Sequence, residues 1–313
     1  MDADALRAVL AREGLVGAQR PVTLHCSSVT GSTQDDAADL AADRLPAVLV
    51  TAHQTAGRGR GERRWEDTPG GSVLMSVAWP LRAPLTDSWT ALGCGARIVE
   101  RLRRDTGVPW LLKWPNDIVR VRAGDGLVRV RAGDGLVRVR AGDGLVRLRA
   151  GDGLVRLRAG DGSVTVAKAG GVLLTVLPDR VILGCGLNLT VPAGAGRTSV
   201  AAERGPVTPQ QRTALVGAIA AESLRGLAAH VGADVPPGLA LRVARVLIQP
   251  GCRVRVSLPS GAEISGVTQG LGADGALLVA LAGGDQPGGD QPGGDQVVAV
   301  RAGSVVYVSD VTP

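Results

Sequence analysis

Apolar positions along the chain fall into two periods. Residues 2–13 place Leu6, Val9 and Leu10 on one face of a short amphipathic helix. Residues 34–43, 89–107 and about 209–230 also predict helices, and Gly107 is suited to ending the second of them. Strands are predicted at 22–26, at 47–54 (AVLVTAHQ), at 71–79 (GSVLMSVAW) and within WLLKWPNDIV from Trp110. KAGGVLLTVL and RVILGCGLNLT read as paired strands joined by a turn at Pro178-Asp179. From Leu247 the texture changes to short alternating runs, CRVRVSL, AEISGVTQGL, ALLVAL, VVAVRA and SVVYV, separated by Gly-rich turns. That is the pattern of a small β-barrel. The order predicts an α+β domain over 1–246 and an appended β module over 247–313, and 313 residues give room for about two domains.

Composition adds exclusions. The 45% hydrophobic fraction is enough for a packed core. No run of about 18 uncharged apolar residues occurs, so a membrane span is not expected. The first residues lack a basic stretch, an apolar stretch and a small-residue cleavage site, so a signal peptide is not expected either. Cys26, Cys94, Cys185 and Cys252 stand far apart without a CxxC, and three histidines are scattered. A zinc finger or disulfide scaffold is excluded on that basis, and a cytoplasmic protein is expected.

The net charge of +6 suggests nucleic acid until it is located. A nonapeptide runs five times over 122–166, RAGDGLVRV twice, RAGDGLVRL twice, then RAGDGSVTV. Each of the first four copies has one more arginine than aspartate, so the array carries four of the positive charges. A second tandem, GGDQP over 283–296, carries three aspartates. What remains is a mild excess without a long basic run, a weak footprint for nucleic acid. The nonapeptide alternates as a strand and then turns at Ala-Gly-Asp-Gly. It has the period of calcium-binding β-rolls but lacks their paired glycines. Both tandems read as loop expansions, which cost little because closure entropy grows slowly with length.

Of 35 basic residues only Lys113 and Lys168 are lysines, and Asn116 and Asn188 are the only asparagines. All four fall in segments that look chemical. GRGRGERRW, 57–65, fails as a dinucleotide fingerprint because Glu62 takes the third glycine position. Its glycines and arginines suit wrapping a phosphate ester, or a solvated basic loop. In KWPNDI, 113–118, Lys113 either puts a compact charge into a cleft or is an edge lysine before a turn. In KAGGVL and GCGLNL the small residues allow close ligand approach, or simply tight strand packing, and Asn188 offers amide recognition or a turn. Trp65, Trp79, Trp89 and Trp110 are expected in the core. His25, His53 and His230 lack evident partners.

The order of these segments, GSTQ, QTAGRGR…W, KWPND, KAGGVL, GCGLN and a β-barrel, resembles bacterial biotin protein ligases. The resemblance covers residues from about 22 to 313 apart from the tandems. It implies a mixed sheet flanked by helices, like that of class II aminoacyl-tRNA synthetases, with a C-terminal SH3-like β-barrel. It implies a cytoplasmic enzyme that activates biotin with ATP and Mg2+ to biotinyl-5′-AMP. The enzyme then acylates one lysine in the biotin carboxyl carrier domain of acetyl-CoA or propionyl-CoA carboxylase. By the same resemblance Lys113, Arg60 and Arg58 are catalytic. Ser32, Thr33, Gln34, Gln54, Arg58, Gly59, Arg60 and Lys113 bind biotin, and Asn116, Lys168, Gly171, Gly186 and Asn188 face ATP. No metal ligand is assigned. About 21 residues precede the first strand, too few for the winged-helix domain of the family's repressors, so operator binding is not expected.

The sequence departs from the family pattern in places. Gln34 replaces the usual asparagine, Glu62 stands where glycine is usual, and Gly170 takes an alanine position, a small change on its face. Two other readings stay compatible with the residues: a catalytically impaired biotin or adenylate sensor, and a lipoate ligase of the same superfamily.

Overall fold

The computed structural model describes residues 2–15, 22–61, 63–82, 85, 87–123, 137–141, 144–148, 164–190, 196–231, 238–248, 251–281 and 296–307. Glu62, most of the nonapeptide array and nearly all of the GGDQP tandem lie outside the described residues.

Local chemistry starts each helix. α1 (Ala3–Arg12) is capped by the Asp2 carboxylate, which accepts from the Asp4 and Ala5 amides. α2 (Thr33–Ala38) is capped by the Ser32 hydroxyl. Its end comes earlier than the sequence pattern predicts. The Arg180 guanidinium, arriving from a distant strand, donates to the carbonyls of Ala37 and Leu40 and satisfies the helix terminus there. Residues 42–44 form a separate 3-10 turn. α3 (Asp87–Thr106) and α5 (Pro209–His230) match expectation, the latter opening with a capping box between Thr208 and Gln211 and proline at its first turn. α4 (Val200–Arg204) and α6 (Leu239–Val246) are additional.

Among the described residues the first sheet has seven strands. They are β1 (Thr23–Ser27), β2 (Ala47–Thr51), β3 (Ser72–Pro80), β4 (Leu111–Lys113), β5 (Asp117–Ala123), β8 (Val164–Val176) and β9 (Arg180–Asn188). Their order is β1-β2-β3-β9-β8-β5-β4, with β1 parallel to β2 and every other pair antiparallel. Alternation assigns the two faces. Val48, Val50, Val73, Val77, Leu183 and Leu187 pack against α1, α3, α5 and α6 in the main core. Ala47, Leu49, Ala78 and Ile182 point the other way, where Ala37 of α2 covers them. α2 covers only part of that face, and the uncovered remainder is where the cleft forms.

The nonapeptides enter at the far end of the β5–β8 hairpin, between Ala123 and Val164, which are paired. Within the array, β6 (Val137–Ala141) and β7 (Gly144–Leu148) pair antiparallel, a hairpin that the alternation allows without requiring it.

The second sheet contains β10 (Arg253–Ser257), β11 (Glu263–Leu271), β12 (Leu277–Leu281), β13 (Val297–Val300) and β14 (Ser304–Tyr307), in the order β13-β12-β11-β10-β14. β13 and β14 are opposite edges, yet only residues 301–303 join them. That connection reaches about 14 Å at most, whereas the edges of a flat five-stranded sheet stand about 19 Å apart. The sheet therefore curls into a barrel, with Val254, Val256, Leu277, Val279, Val300 and Val305 inside. Leu247 and Ile248 precede it and attach to the edge of the first sheet, the Ile248 amide donating to the Leu112 carbonyl at 2.8 Å. No helix of the described residues is long and apolar enough to cross a membrane.

Candidate active site

Strand register builds the floor. One row of paired residues crosses five strands: Leu74 opposite Gly186, Gly186 opposite Gly171, Gly171 opposite Asp117, and Asp117 opposite Lys113. The next row sets Ser76, Gly184 and Leu173 side by side. Three glycines at the centre of two rows remove the side chains that would fill the face. The result is a cleft of about 920 Å³, within the range of small-molecule sites.

All thirteen sequence-assigned residues line this cleft. On one wall is the start of α2, where Ser32, Thr33 and Gln34 are buried. The Gln54 carboxamide oxygen accepts from the Thr33 amide at 2.8 Å and from its hydroxyl at 3.1 Å, and that hydroxyl lies 2.8 Å from Ser76 Oγ. Gln54 is thereby fixed with its oxygen on α2. Gln34 donates its side-chain amide to the Leu173 carbonyl at 3.0 Å and lies flat on Gly184, where an added Cβ would stand 2.4 Å from its nitrogen. The longer side chain of Gln34 is accommodated by that glycine.

Across from α2 is the loop 57–65. It is folded back on itself: the Gly59 amide donates to Arg63 O, the Trp65 amide to Gly57 O, and Gly61 turns the tip at φ +63°. Arg58 pairs with Asp35 at 2.7 Å. Burial lowers the Arg60 pKa, opposed by the Asp117 charge. Trp65, expected in the core, instead forms a wall of the cleft. Its ring covers Gly186 so closely that an added Cβ would sit 2.8 Å from it, and its buried indole nitrogen has no partner among the described residues. Trp89 and Trp110 are buried as expected, and Trp79 is partly buried.

The third wall carries the lysines. Lys113 Nζ lies 3.7 Å from Asp117 Oδ2, and Lys168 Nζ lies 2.5 Å from Asp117 Oδ1. Burial pushes the Lys113 pKa down, Asp117 opposes this, and Lys168 and Arg63 add to it. Asp117 is the residue sequence reasoning passed over, although it stands inside the KWPND segment: it balances two lysines 55 positions apart in the chain. Asn116 donates to the Val172 carbonyl at 2.6 Å and fixes the loop before β5. Asn188 donates to Thr198 O at 3.1 Å, so its amide nitrogen is committed to the fold. Gly170 is less neutral than its sequence suggests, because a Cβ there would stand 2.4 Å from Gly186 O.

The histidines separate. His53 does have a partner, Asp67 Oδ2 at 3.0 Å, outside the cleft lining. His230 is buried among helices, its pKa lowered to about 4 by burial and then by Arg97 and Arg242. His25 is exposed on β1. Among the described residues no three ligating side chains cluster as a metal site.

A cationic loop and a half-buried lysine thus face each other over a glycine-floored cleft. The family model described as the Biotin/lipoate A/B protein ligase family matches residues 27–126. That match takes in α2, the 57–65 loop and Lys113–Asp117. A biotin–[acetyl-CoA-carboxylase] ligase of Mycobacterium tuberculosis is 28% identical over 98% of each chain. The bifunctional ligase/repressor BirA of Bacillus subtilis is 38% identical over 29% of each. In structure, the chain is similar to a biotin protein ligase from Aquifex aeolicus in complex with biotin and ATP. The TM-score is 0.57 and the identity 18%, over 92% of this chain and 99% of that one. This likeness establishes the shared fold.

Proposed function

We propose that this chain is a biotin protein ligase acting in the cytoplasm, with a catalytic domain over 1–246 and a barrel over 247–313. The observation that carries the proposal is the convergence of Ser32–Gln34, Arg58–Arg60 and Lys113 on one cleft. A biotin carboxylate oxygen attacks the α-phosphate of ATP, pyrophosphate leaves, and biotinyl-5′-AMP forms. The amine of a carrier-domain lysine then attacks the acyl carbon, AMP leaves, and the amine gives up a proton. In the first step two anions approach each other, so fixed cations are the main help a protein can give. Lys113, Arg58 and Arg60 supply them.

Ser32, Thr33, Gln34, Gln54 and Gly59 are assigned to biotin, and Asn116, Lys168, Gly171, Gly186 and Asn188 to the nucleotide. Asp117 keeps Lys113 charged against the pull of burial. Mg2+ is expected to enter with the ATP phosphates, whose charge it offsets. The acceptor is the carrier domain of an acetyl-CoA or propionyl-CoA carboxylase.

The test is to incubate the chain with biotin, Mg-ATP and a carrier domain and to read carrier mass and pyrophosphate. Addition of one biotinyl group to one lysine is expected. Pyrophosphate release without transfer would limit the function to adenylate formation. Release of neither would overturn the proposal, and preferential use of lipoate would redirect it.

A further inference from the structure

One turn of the C-terminal barrel lines the cleft, another packs behind it against Trp114, and an ion pair joins the two. The β11–β12 turn is closed by Gly272 N–H to Ala276 O (2.8 Å), Gly275 N–H to Gly272 O (2.9 Å) and the Asp274 carboxylate, which accepts from the Ala276 amide at 3.2 Å. Its outward carbonyls receive two indoles of the first domain. Trp89 Nε1 donates to Ala273 O at 2.7 Å, and Trp114 Nε1 donates to Gly275 O at 3.1 Å. Gly275 sits at φ +78°, and a Cβ there would stand 3.0 Å from Ser88 Cβ, so the two surfaces meet without a gap. Trp114 is the residue next to Lys113, and it is buried.

The other turn, residues 301–303 between β13 and β14, presents the Gly303 carbonyl to Arg60 Nη1 at 3.5 Å. Arg301 of this turn donates its Nε to Asp274 Oδ2 at 2.7 Å. One continuous path therefore runs from Lys113 through Trp114, Gly275, Asp274, Arg301 and Gly303 to Arg60. It links the two cationic walls of the cleft from behind.

We infer that Asp274 and Arg301 are positioning residues that tie the two turns together and so set the placement of Arg60 relative to Lys113. The inference rests on the proposed ligase reading for its effect on catalysis, but its structural content stands apart from it. Neither residue lines the cleft. Both side chains are substantially exposed, 45% for Asp274 and 72% for Arg301, so nothing in the core requires the pair. An exposed pair of this kind contributes little to global stability. Its consequence lies in where it acts. Catalysis of anion attack depends on cations held in place, and small displacements of them are costly.

The experiment uses the full chain with Arg301→Leu, Arg301→Lys and Asp274→Ala. Surface positions of this kind tolerate substitution, so all three variants fold. Hydrogen exchange is followed at residues 57–61, at 113–116 and, as reference, in the central strands β2 and β3. The expected result for Arg301→Leu and Asp274→Ala is faster exchange at both loops with the reference strands unchanged. Adenylate formation should lose about two- to fivefold in kcat, with the KM for biotin unchanged. Arg301→Lys, which keeps the charge, should restore most of both. Unchanged exchange at either loop overturns the inference, as does an Arg301→Lys variant as perturbed as Arg301→Leu. If the parent chain itself releases no pyrophosphate, the ligase reading fails while the exchange data still decide the coupling.

Discussion

The β5–β8 hairpin has two ends with opposite tolerances. At the cleft end Asp117 faces Gly171, and a Cβ at Gly171 would stand 3.1 Å from Asn116 O and 3.5 Å from the Asp117 carboxylate. At the other end Ala123 faces Val164, and five nonapeptides are threaded through the connection. Six residues of strand, about 20 Å, separate the two. The same pair of strands thus has little room for an extra methyl group at one end and takes some forty residues at the other. What differs is the surroundings: the cleft end is crossed by three other strands and a loop, and the far end opens outward from the sheet.

The sharpest way to test this contrast is at Lys113. Lys113→Ala should lower adenylate formation by about 10²–10³-fold, the range for removing one group that stabilises developing charge. Its circular dichroism and unfolding midpoint should stay close to the parent's. Loss of folding would mean that Lys113 is structural and that the cleft end is intolerant for packing reasons alone. The parent's rate should also fall with rising pH. Burial depresses the Lys113 pKa, so the protonated, clamping form is complete below that pKa and declines tenfold per pH unit above it. The decline should begin at lower pH than the ordinary lysine value and should be absent in Lys113→Ala.

A smaller effect is expected from filling the floor. Gly186→Ala puts a methyl group 2.8 Å from the Trp65 ring. The ring must swing away, which costs about 1–3 kcal/mol as overpacking does and removes one wall of the cleft. The KM values for biotin or ATP should rise about tenfold. Adding Trp65→Leu should recover the unfolding midpoint but not the KM. Recovery of both would show that Trp65 takes no part in binding.

Much of this contrast could be read in the sequence. The paired strands 168–177 and 180–190, the turn at Pro178-Asp179 and the helix at 209–230 all follow from period and turn chemistry, and the cleft lysine stood out in a chain with two lysines. What was not legible needed distant partners. The end of α2 is set by Arg180, whose guanidinium reaches Ala37 and Leu40 across about 140 positions. Trp65 belongs to the cleft because Gly186 leaves room beneath its ring, and Asp117 matters because two lysines converge on it. The hold of Trp89 and Trp114 on the β11–β12 turn joins residues 184 and 161 positions apart. Hydrophobic period carries no record of such pairings.

The weakest expected effect tests the tolerant end. Deleting residues 122–157 removes four whole repeats and joins Val121 to Arg158. Because the repeats share their opening, Arg158 and Ala159 take the places of Arg122 and Ala123. The register with β8 is then preserved: Val121 still faces Val166, Arg158 faces Thr165 and Ala159 faces Val164. Gly160, Asp161, Gly162 and Ser163 remain as a four-residue connection, a common hairpin length with glycines where the chain must turn. Arg158 also inherits the position from which Arg122 pairs with Glu203. Nothing at the cleft end is disturbed, so adenylation and transfer should stay within about threefold of the parent and the unfolding midpoint should hold or rise, because a shorter loop closes at lower entropic cost. A much larger loss in carrier transfer, with adenylation intact, would show that the array reaches the acceptor and that the far end of the hairpin has a function of its own.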